Sequence, residues 1–358
     1  MLTNLSKAPF PWFGGKRKAA PVVWEALGDC PHYVEPFAGS LAVLLERPHT
    51  ANRPYYSETV NDLDGFVVNA WRSIQLHPDA TAEAASWPVS EACLHARHVA
   101  VLRWRQEREV ERLMGDPDYC DPKIAGWWLW GQSSWIGSGW ASGNGPWWPD
   151  ETGRLVKHGR GGVSRQLPHL GDNGRGVNHA GLREEGVGEP DYHPVTMPEL
   201  RRWFAYLSAR LRHVRILNGD WKRAVTTGAI LTLPVRQGNG PCGVFLDPPY
   251  ADTAKRCDDL YAHDSLDVAH AVREWCLERG DDERYRIVLA GFEGEHKGLV
   301  EAGWREVEWF ASGFLTGGMG NVSRSGAHQQ NRERLWLSPH CLGSAEDVQG
   351  DLFAGLSA

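Results

Sequence analysis

The tetrapeptide Asp247-Pro248-Pro249-Tyr250 carries groups that suit chemistry on an aromatic amine. Such an amine is a poor nucleophile because its nitrogen lone pair is delocalised into the ring. The Asp247 carboxylate and the Pro248 carbonyl can together accept both amine hydrogens, and the prolines carry no N–H that would compete. Tyr250 can stack on a base that has left a helix. The plainer alternative is a Pro-Pro turn that closes a buried strand.

Three other predicted strands also end in glycine or acidic residues. The first runs into Glu35 and then Gly39, where the backbone can approach a ligand closely. The second ends at Asp62, a position suited to accept hydrogen bonds from ribose hydroxyls. The third precedes Asp220, which can accept a hydrogen bond from the amine of an adenine. Each acid taken alone is more often a turn former or helix cap, but together they predict a nucleoside ligand beside a base.

The elements that must position these residues follow an α/β pattern. Predicted strands alternate with helices in residues 1–77 and 213–338, which indicates a Rossmann-like fold with a mostly parallel sheet. Ligands of such sheets bind outside the carboxyl ends of the strands, so the four strand ends should converge on one site. Segments 304–310 and 334–337 are predicted to pair at the edge of the sheet.

Residues 78–212 interrupt this pattern. They contain helix patterns and Gly/Trp-rich sequence but few strand signals, so we predict an inserted, mainly helical domain. Seven of the 18 tryptophans lie between Trp127 and Trp148. Residues 339–358 form a polar, acidic tail.

Composition and charge narrow the class of protein. The 358 residues are 42% hydrophobic, and no apolar run approaches the roughly 20 residues that span a bilayer. The N-terminus lacks the apolar core of a signal peptide, so we expect a cytoplasmic chain. Seven cysteines without CxxC spacing predict neither a disulfide framework nor a metal site. The net charge is −7, but residues 154–223 carry +6 and can dock on phosphates.

These motifs, in this order, resemble the Dam-like class of DNA N6-adenine methyltransferases, especially versions carried by bacteriophages, over most of residues 8–338. The resemblance implies S-adenosylmethionine as cofactor, double-stranded DNA as partner, and methyl transfer to N6 of a flipped-out adenine. It assigns residues 1–77 and 213–338 to the catalytic domain and 78–212 to target recognition. We expect a monomer, located in the bacterial host cytoplasm if the gene belongs to a phage.

The resemblance also implies roles for single residues. The catalytic group is Lys16, Asp247, Pro248, Pro249 and Tyr250. The cofactor-binding group contains the opening segment, the glycine turn and the acids at the strand ends: Trp12, Phe13, Gly14, Gly15, Lys16, Glu35, Pro36, Phe37, Ala38, Gly39, Ser40, Asp62, Asp220, Trp221 and Asp247.

One position departs from the family pattern. Family members usually carry a second glycine two residues after the first, and Leu41 occupies that place here. We therefore expect the contacts with the cofactor to be altered at this turn, without loss of cofactor binding.

The predicted DNA contacts lie in the interval 78–212. Basic residues are assigned to phosphates, and polar or aromatic residues are assigned to bases or backbone: Arg154, Lys157, Arg160, Arg165, Gln132, Ser133, Ser134, Trp140 and Asn144. Most of the four tryptophans Trp127, Trp128, Trp130 and Trp135 are better interpreted as the core of a small helical subdomain. Trp140 has glycine and serine neighbours, so we expect it to be exposed.

The tail contains Gln349-Gly350-Asp351-Leu352-Phe353, which resembles the peptide that binds the bacterial sliding clamp. Such short matches arise easily by chance in tails, so a plain polar tail is the alternative.

Three other functions remain open for the chain as a whole. An N4-cytosine methyltransferase uses the same amine chemistry but more often has serine at the position of Asp247, and a protein-amide methyltransferase usually has asparagine there. A non-catalytic DNA-binding relative is supported only by Leu41. A role in restriction-modification and a role in protecting phage DNA fit the resemblance equally.

Overall fold

The structure is a computed structural model. It describes the following residues: 5–10, 12, 15–48, 56–88, 90–107, 109–116, 118–134, 140–141, 147–149, 155–157, 196–249, 266–309 and 333–343.

The described strands fall into a large sheet and a separate small pair. Their bounds are β1 His32–Glu35, β2 Ser57–Asp62, β3 Trp147–Pro149, β4 Leu155–Lys157, β5 Val214–Asn218, β6 Cys242–Leu246, β7 Tyr285–Phe292, β8 Arg305–Glu308 and β9 Glu333–Leu337. The large sheet has seven strands in the order β5-β2-β1-β6-β7-β9-β8, and β3 pairs with β4.

Helices fill most of the sequence between the strands. Their bounds are α1 Ala20–Leu27, α2 Ala42–Leu45, α3 Gly65–Leu76, α4 Pro78–Ala85, α5 Glu91–Gln106, α6 Glu109–Gly115, α7 Pro122–Ser134, α8 Met197–Leu211, α9 Thr227–Ile230, α10 Leu233–Arg236, α11 Leu266–Arg279 and α12 Lys297–Glu301. A 3-10 helix covers Trp221–Arg223. None of the described helices combines the length and the apolar character needed to cross a membrane.

The centre of the large sheet is parallel, as the sequence predicts. β1 pairs in parallel with both β2 and β6, and β6 pairs in parallel with β7. All four residues of β1 and all five of β6 are buried, as expected for parallel strands covered on both faces. The predicted mixed α/β fold with a mostly parallel sheet is confirmed.

The last two strands run in the opposite direction. β9 pairs antiparallel with β7 and with β8, so the pairing predicted for segments 304–310 and 334–337 is confirmed. The structure adds that β9 lies between β7 and β8, so β8 and not β9 forms this edge of the sheet. The residue that begins β9 therefore lies opposite Phe292, at the carboxyl end of β7.

The chain divides into two compact units. One contains residues 1–15, 62–219 and 257–264, and the other contains 16–61, 220–256 and 265–358. These boundaries differ from those predicted for the catalytic and recognition domains. The division into compact units does not report which residues catalyse a reaction and which bind DNA. The inserted recognition domain therefore stays a prediction.

Local sequence explains the helix starts of the first unit. The Asp64 side chain accepts a hydrogen bond from the Phe66 amide and so caps α3. Thr196 and Glu199 form a reciprocal capping box at the start of α8. The charged sequence after residue 90 forms two helices, since α5 ends at Gln106 and α6 begins at Glu109.

A buried arginine holds the tryptophan-rich part of the first unit together. The Arg97 guanidinium lies 4.7 Å from the ring centroid of Trp87, 5.4 Å from that of Trp127 and 4.8 Å from that of Trp130. Arg97 is 7% exposed, and its Nη1 donates a hydrogen bond to the Cys93 carbonyl at 3.5 Å. A guanidinium suits such a place because it is weakly hydrated and stacks on aromatic faces.

Replacing this arginine should weaken the fold. We expect Arg97→Ala to lower the free energy of unfolding by about 2 kcal/mol or more, because cation–π contacts and stem packing are both lost. Arg103→Ala is the matched control, since Arg103 is exposed on the same helix. Urea titrations followed by tryptophan fluorescence measure both. An equal decrease in the free energy of unfolding in the two variants would contradict a structural role for the contacts of Arg97 with the three tryptophan rings.

Candidate active site

The order of the strands marks where a ligand should bind in the second unit. From β1 the sheet continues to β2 on one side and to β6 on the other, so the winding direction changes between β1 and β6. Ligands of open α/β sheets bind outside the carboxyl ends of the strands at such a point. Glu35 ends β1 and Asp247 follows β6 directly, so both predicted residues lie at this edge.

A buried lysine lies between two carboxylates at this edge. The Lys16 Nζ atom is 3.1 Å from Asp247 Oδ1 and 3.7 Å from Glu333 Oε2. Lys16 is 3% exposed, whereas the Asp247 side chain is 23% exposed. A buried ammonium is costly to desolvate unless it is paired, so these carboxylates fix its position. The structure therefore brings together Lys16 and Asp247, as the resemblance implies.

Glu333 is a member of this cluster that the sequence did not predict. It begins β9, and β9 is antiparallel to β7. The start of an antiparallel strand lies at the same edge as the carboxyl ends of its parallel neighbours, which brings Glu333 beside Lys16. A strand pattern alone could not have identified it, since the strand's direction and its place beside β7 were both required.

Glu35 is buried in a polar niche next to this cluster. Its Oε2 atom accepts hydrogen bonds from the Tyr33 hydroxyl at 3.0 Å and from the Leu44 amide at 3.3 Å. Burial raises the pKa of Glu35 to about 8, and the charge of Asp247 adds to the rise, although the two hydrogen bonds oppose it. The carboxyl group can therefore bind or release a proton near neutral pH.

The turn after β1 is tied to the end of β2. The Asn61 side-chain amide donates to the Pro36 carbonyl at 3.0 Å, and the Ala38 amide donates to the Asn61 carbonyl at 2.8 Å. Gly39 has a φ of 44°, a left-handed conformation that glycine adopts easily. These hydrogen bonds fix the shape of the loop at the carboxyl edge.

Leu41 is also left-handed, with a φ of 54°. A leucine in this region costs about 1–2 kcal/mol, which explains why a glycine would suit the position. Its side chain is fully buried, so packing offsets the strain. The departure from the family pattern thus keeps the backbone shape that a glycine would adopt.

The turn after β5 supplies an acid and an aromatic ring. Asp220 is exposed, and its Oδ1 accepts a hydrogen bond from the Lys222 amide at 2.8 Å, which caps the 3-10 helix. Trp221 is buried and stacks on Phe37, with ring centroids 6.0 Å apart and planes inclined by 30°. The structure therefore brings Phe37 and Trp221 together, while the Asp220 contact is the cap that a strand-end acid often makes.

Among the predicted cofactor residues of the first unit, Asp62 and Trp12 make contacts within that unit. Asp62 ends β2, and its Oδ1 accepts a hydrogen bond from the Asp64 amide at 2.8 Å, which is a turn-forming contact. Trp12 is half-buried and packs edge-on against Phe10 at 5.9 Å. The roles of both residues in cofactor binding stay predictions.

The predicted exposure of Trp140 is wrong. Trp140 is 7% exposed, and its indole N–H donates to the Trp128 carbonyl at 3.1 Å. It lies in a slot made by Gly131, where an added Cβ would come within 1.9 Å of the indole ring. Trp128 and Trp130 are buried too, so their interpretation as core residues is confirmed, whereas Trp127 is only half-buried and Trp135 lies outside the described residues.

The remaining predicted contacts to DNA are only partly described. Gln132, Ser133 and Ser134 form the end of α7, where Ser134 is buried, and Lys157 ends β4. Several predicted residues lie outside the described part of the chain: Phe13, Gly14, Asn144, Arg154, Arg160, Arg165, Tyr250 and Gln349–Phe353. Within the described ranges, no group of three or more His, Cys, Asp or Glu side chains could hold a metal ion.

The donor set of the second unit fits a nucleoside cofactor with a cationic amino acid part. Asp220 offers an exposed carboxylate, Glu35 offers a buried carboxyl group that can ionise near neutral pH, and Phe37 stacks on Trp221. Gly39 adds a turn that permits close backbone approach. Acid, aromatic and glycine groups are the types that such a ligand requires.

The raised pKa of Glu35 should appear in the pH dependence of stability. Between its ordinary value of 4.5 and about 8, the folded chain holds a proton that the unfolded chain has lost. The free energy of unfolding should therefore fall as pH rises through this range, and Glu35→Gln should remove most of that fall. Urea titrations at several pH values measure it, with Glu25→Gln on the exposed face of α1 as control. An unchanged pH dependence in Glu35→Gln would refute the raised pKa.

Comparison with known protein families gives a match to part of the chain. Residues 12–93 match the family model of D12 class N6 adenine-specific DNA methyltransferases, which is less than a quarter of the chain. No curated protein matches the chain significantly. The matched segment contains Lys16, the Glu35–Gly39 turn and Asp62. The resemblance to Dam-like N6-adenine methyltransferases is thereby confirmed, and it supports a function in DNA adenine methylation.

Proposed function

We propose that this protein is a site-specific methyltransferase that moves a methyl group from S-adenosylmethionine to N6 of a flipped-out adenine in double-stranded DNA. One observation carries the proposal. Asp247 and Pro248 follow β6 directly at the point where the sheet changes winding direction, with the buried Lys16 ammonium 3.1 Å from the Asp247 carboxylate.

The chemistry of the amine explains these residue types. Asp247 accepts one N6 hydrogen and the Pro248 carbonyl accepts the other, so that the nitrogen lone pair is directed away from the ring. Pro248 and Pro249 contribute no N–H donors and have restricted backbones, which keeps both acceptors fixed. S-adenosylmethionine, when bound, supplies a methyl group on a positively charged sulfur. The contribution of the chain is mostly orientation and polarisation of the amine.

Most of the cofactor binding is assigned to strand-end groups of the second unit. Glu35 and the turn to Gly39 serve the methionine part, and Phe37 with Trp221 packs beside the adenine. Asp220 keeps an exposed carboxylate that can accept from the adenine amine while it caps the 3-10 helix. Asp62 is proposed for the ribose, next to the turn that it already stabilises.

DNA binding is assigned to residues 78–212. The net positive charge of residues 154–223 offsets the acidic remainder of the chain and supports contacts to phosphates. Base flipping costs a few kcal/mol of unstacking, which such contacts can offset. Trp140 is buried, so it is not proposed to contact bases directly.

The alternatives differ in the acceptor of the methyl group. N4-cytosine and protein-amide methyltransferases use the same amine chemistry but usually carry serine or asparagine where this chain has Asp247. The family match at residues 12–93 favours N6 of adenine over both. A non-catalytic relative is disfavoured by the paired Lys16 and Asp247.

Loss of the Asp247 carboxylate should abolish methyl transfer. We expect Asp247→Ala to lower the rate by more than about a hundredfold, because the amine loses its principal acceptor. Binding of S-adenosylmethionine, measured by calorimetry, should survive. Nucleoside digestion with mass spectrometry counts the methylated bases, and Asp267→Ala on the exposed side of α11 is the control. Activity of Asp247→Ala above a few percent of wild type would contradict the assignment of Asp247 as the acceptor for the amine.

DNA from cells that express the protein should carry N6-methyladenine at one short sequence. The family resemblance suggests GATC, but residues 78–212 decide the target. Long-read methylation mapping reports the base, its position and the target together. Methylation of cytosine at N4 would support the first alternative, and DNA without modification, with methylated protein amides in the same cells, would support the second.

A further inference from the structure

An exposed tryptophan lies beside the buried arginine of the first unit. Trp87 is 48% exposed, although the large aromatic side chains of folded proteins are mostly buried. Its carbonyl accepts a hydrogen bond from the Trp130 indole at 2.8 Å, and the Arg97 guanidinium lies 4.7 Å from its ring centroid. A ring that is already held in place loses little conformational freedom when a partner binds it.

The surface around Trp87 carries positive charge. We call it the Trp87 patch, and it consists of Trp87, Arg97, Lys123 and Trp127, which all belong to the first unit. The Lys123 ammonium lies 4.8 Å from the ring centroid of Trp127, and the Arg97 guanidinium lies 5.4 Å from the same centroid. Neither cation forms an ion pair with a carboxylate of the described residues. The patch is therefore locally cationic in a chain whose net charge is −7.

Cations seated on aromatic rings form a combination that suits a nucleic acid strand. Such a strand offers phosphates to a cation, and it offers flat sugar and base rings to an indole. A phosphate supplies the counter-charge that Lys123 lacks among the described residues. An apolar protein surface would instead cover both cations without a counter-charge, which is costly. Charge complementarity therefore favours DNA as the occupant.

We propose that the Trp87 patch contacts a DNA strand, with Lys123 on a phosphate and Trp87 against the neighbouring sugar and base. The inference rests on the proposed function, since it names groups by which residues 78–212 meet their substrate. Arg97 is assigned no contact of its own, because it is buried and holds the two rings in place.

Equilibrium binding tests the two roles separately. Fluorescence anisotropy of a fluorescein-labelled duplex of mixed sequence gives Kd at several salt concentrations, without cofactor. We expect Trp87→Leu to raise Kd about tenfold without changing the salt dependence, because an uncharged contact is lost. Trp87→Phe keeps an aromatic ring and should recover most of the affinity.

The charged contact has a different signature. Lys123→Gln should raise Kd about fivefold at roughly 0.1 M salt, and it should reduce the slope of log K against log salt by about 1. Lys123 is exposed, so this variant stays informative even where Trp87→Leu lowers stability. Thermal unfolding of every variant shows whether a loss of binding comes from a loss of folded protein.

Two substitutions outside the Trp87 patch are the matched controls. Arg103→Gln removes one positive charge from an exposed position on α5 and should leave the salt slope unchanged. Leu76→Ala removes another exposed apolar side chain of the first unit and should leave Kd unchanged.

Each result decides the assignment of the patch. Weaker binding by both variants, with a reduced salt slope in Lys123→Gln alone, would support the DNA contact. Wild-type affinity and slope in both variants would overturn it. Unchanged DNA affinity, with a shift from dimer to monomer in sedimentation of Trp87→Leu, would assign the patch to a second copy of the chain. Failure of the wild-type protein to bind the duplex would instead contradict the proposed function itself.

Discussion

A buried ammonium must be matched by nearby negative charge, and this requirement connects the parts of the second unit. Lys16 can remain buried only where carboxylates meet it, and they arrive from β6 and β9. The turn before α1, the central strand and the antiparallel strand are thus held in one arrangement. The same charge balance keeps Asp247 fixed at the carboxyl edge, where 23% of its side chain remains exposed.

The direction of the strands determines which residues can meet there. Parallel strands bring only their ends to the edge, which explains the positions of Glu35 and Asp247. The antiparallel β9 instead brings its beginning, and so a residue that precedes an apolar strand reaches the same place. A mixed sheet thereby offers more kinds of residue to one site than a purely parallel sheet does.

Much of this site follows from sequence, and the exceptions have physical reasons. The strands before Glu35 and Asp247 are predicted by short apolar runs, and the association of Lys16 with Asp247 is implied by the family motifs. The sequence does not predict Glu333 at the site, because its position beside Lys16 depends on the direction of β9. It also depends on pairing with Phe292, which is more than forty positions away in the sequence. The exposure of Trp140 is predicted wrongly because glycines and serines flank it in the sequence. The slot that receives its ring is made by Gly131 on helix α7. Both depend on tertiary contacts that local pattern does not contain.

At Leu41 the conformation of a loop and the packing of the core depend on the same residue, and together they limit which substitutions the position tolerates. Its backbone is strained, but its side chain fills the interior beneath the turn. Exchange for glycine would relax the backbone and open a cavity, at a cost of about 2–5 kcal/mol for a lost leucine of this kind. A change from leucine to glycine at position 41 therefore gives a less stable protein, unless a larger neighbouring side chain has already filled the space. Substitution at this turn depends on the order of events, so lineages with leucine and lineages with glycine should differ in the packing below it as well.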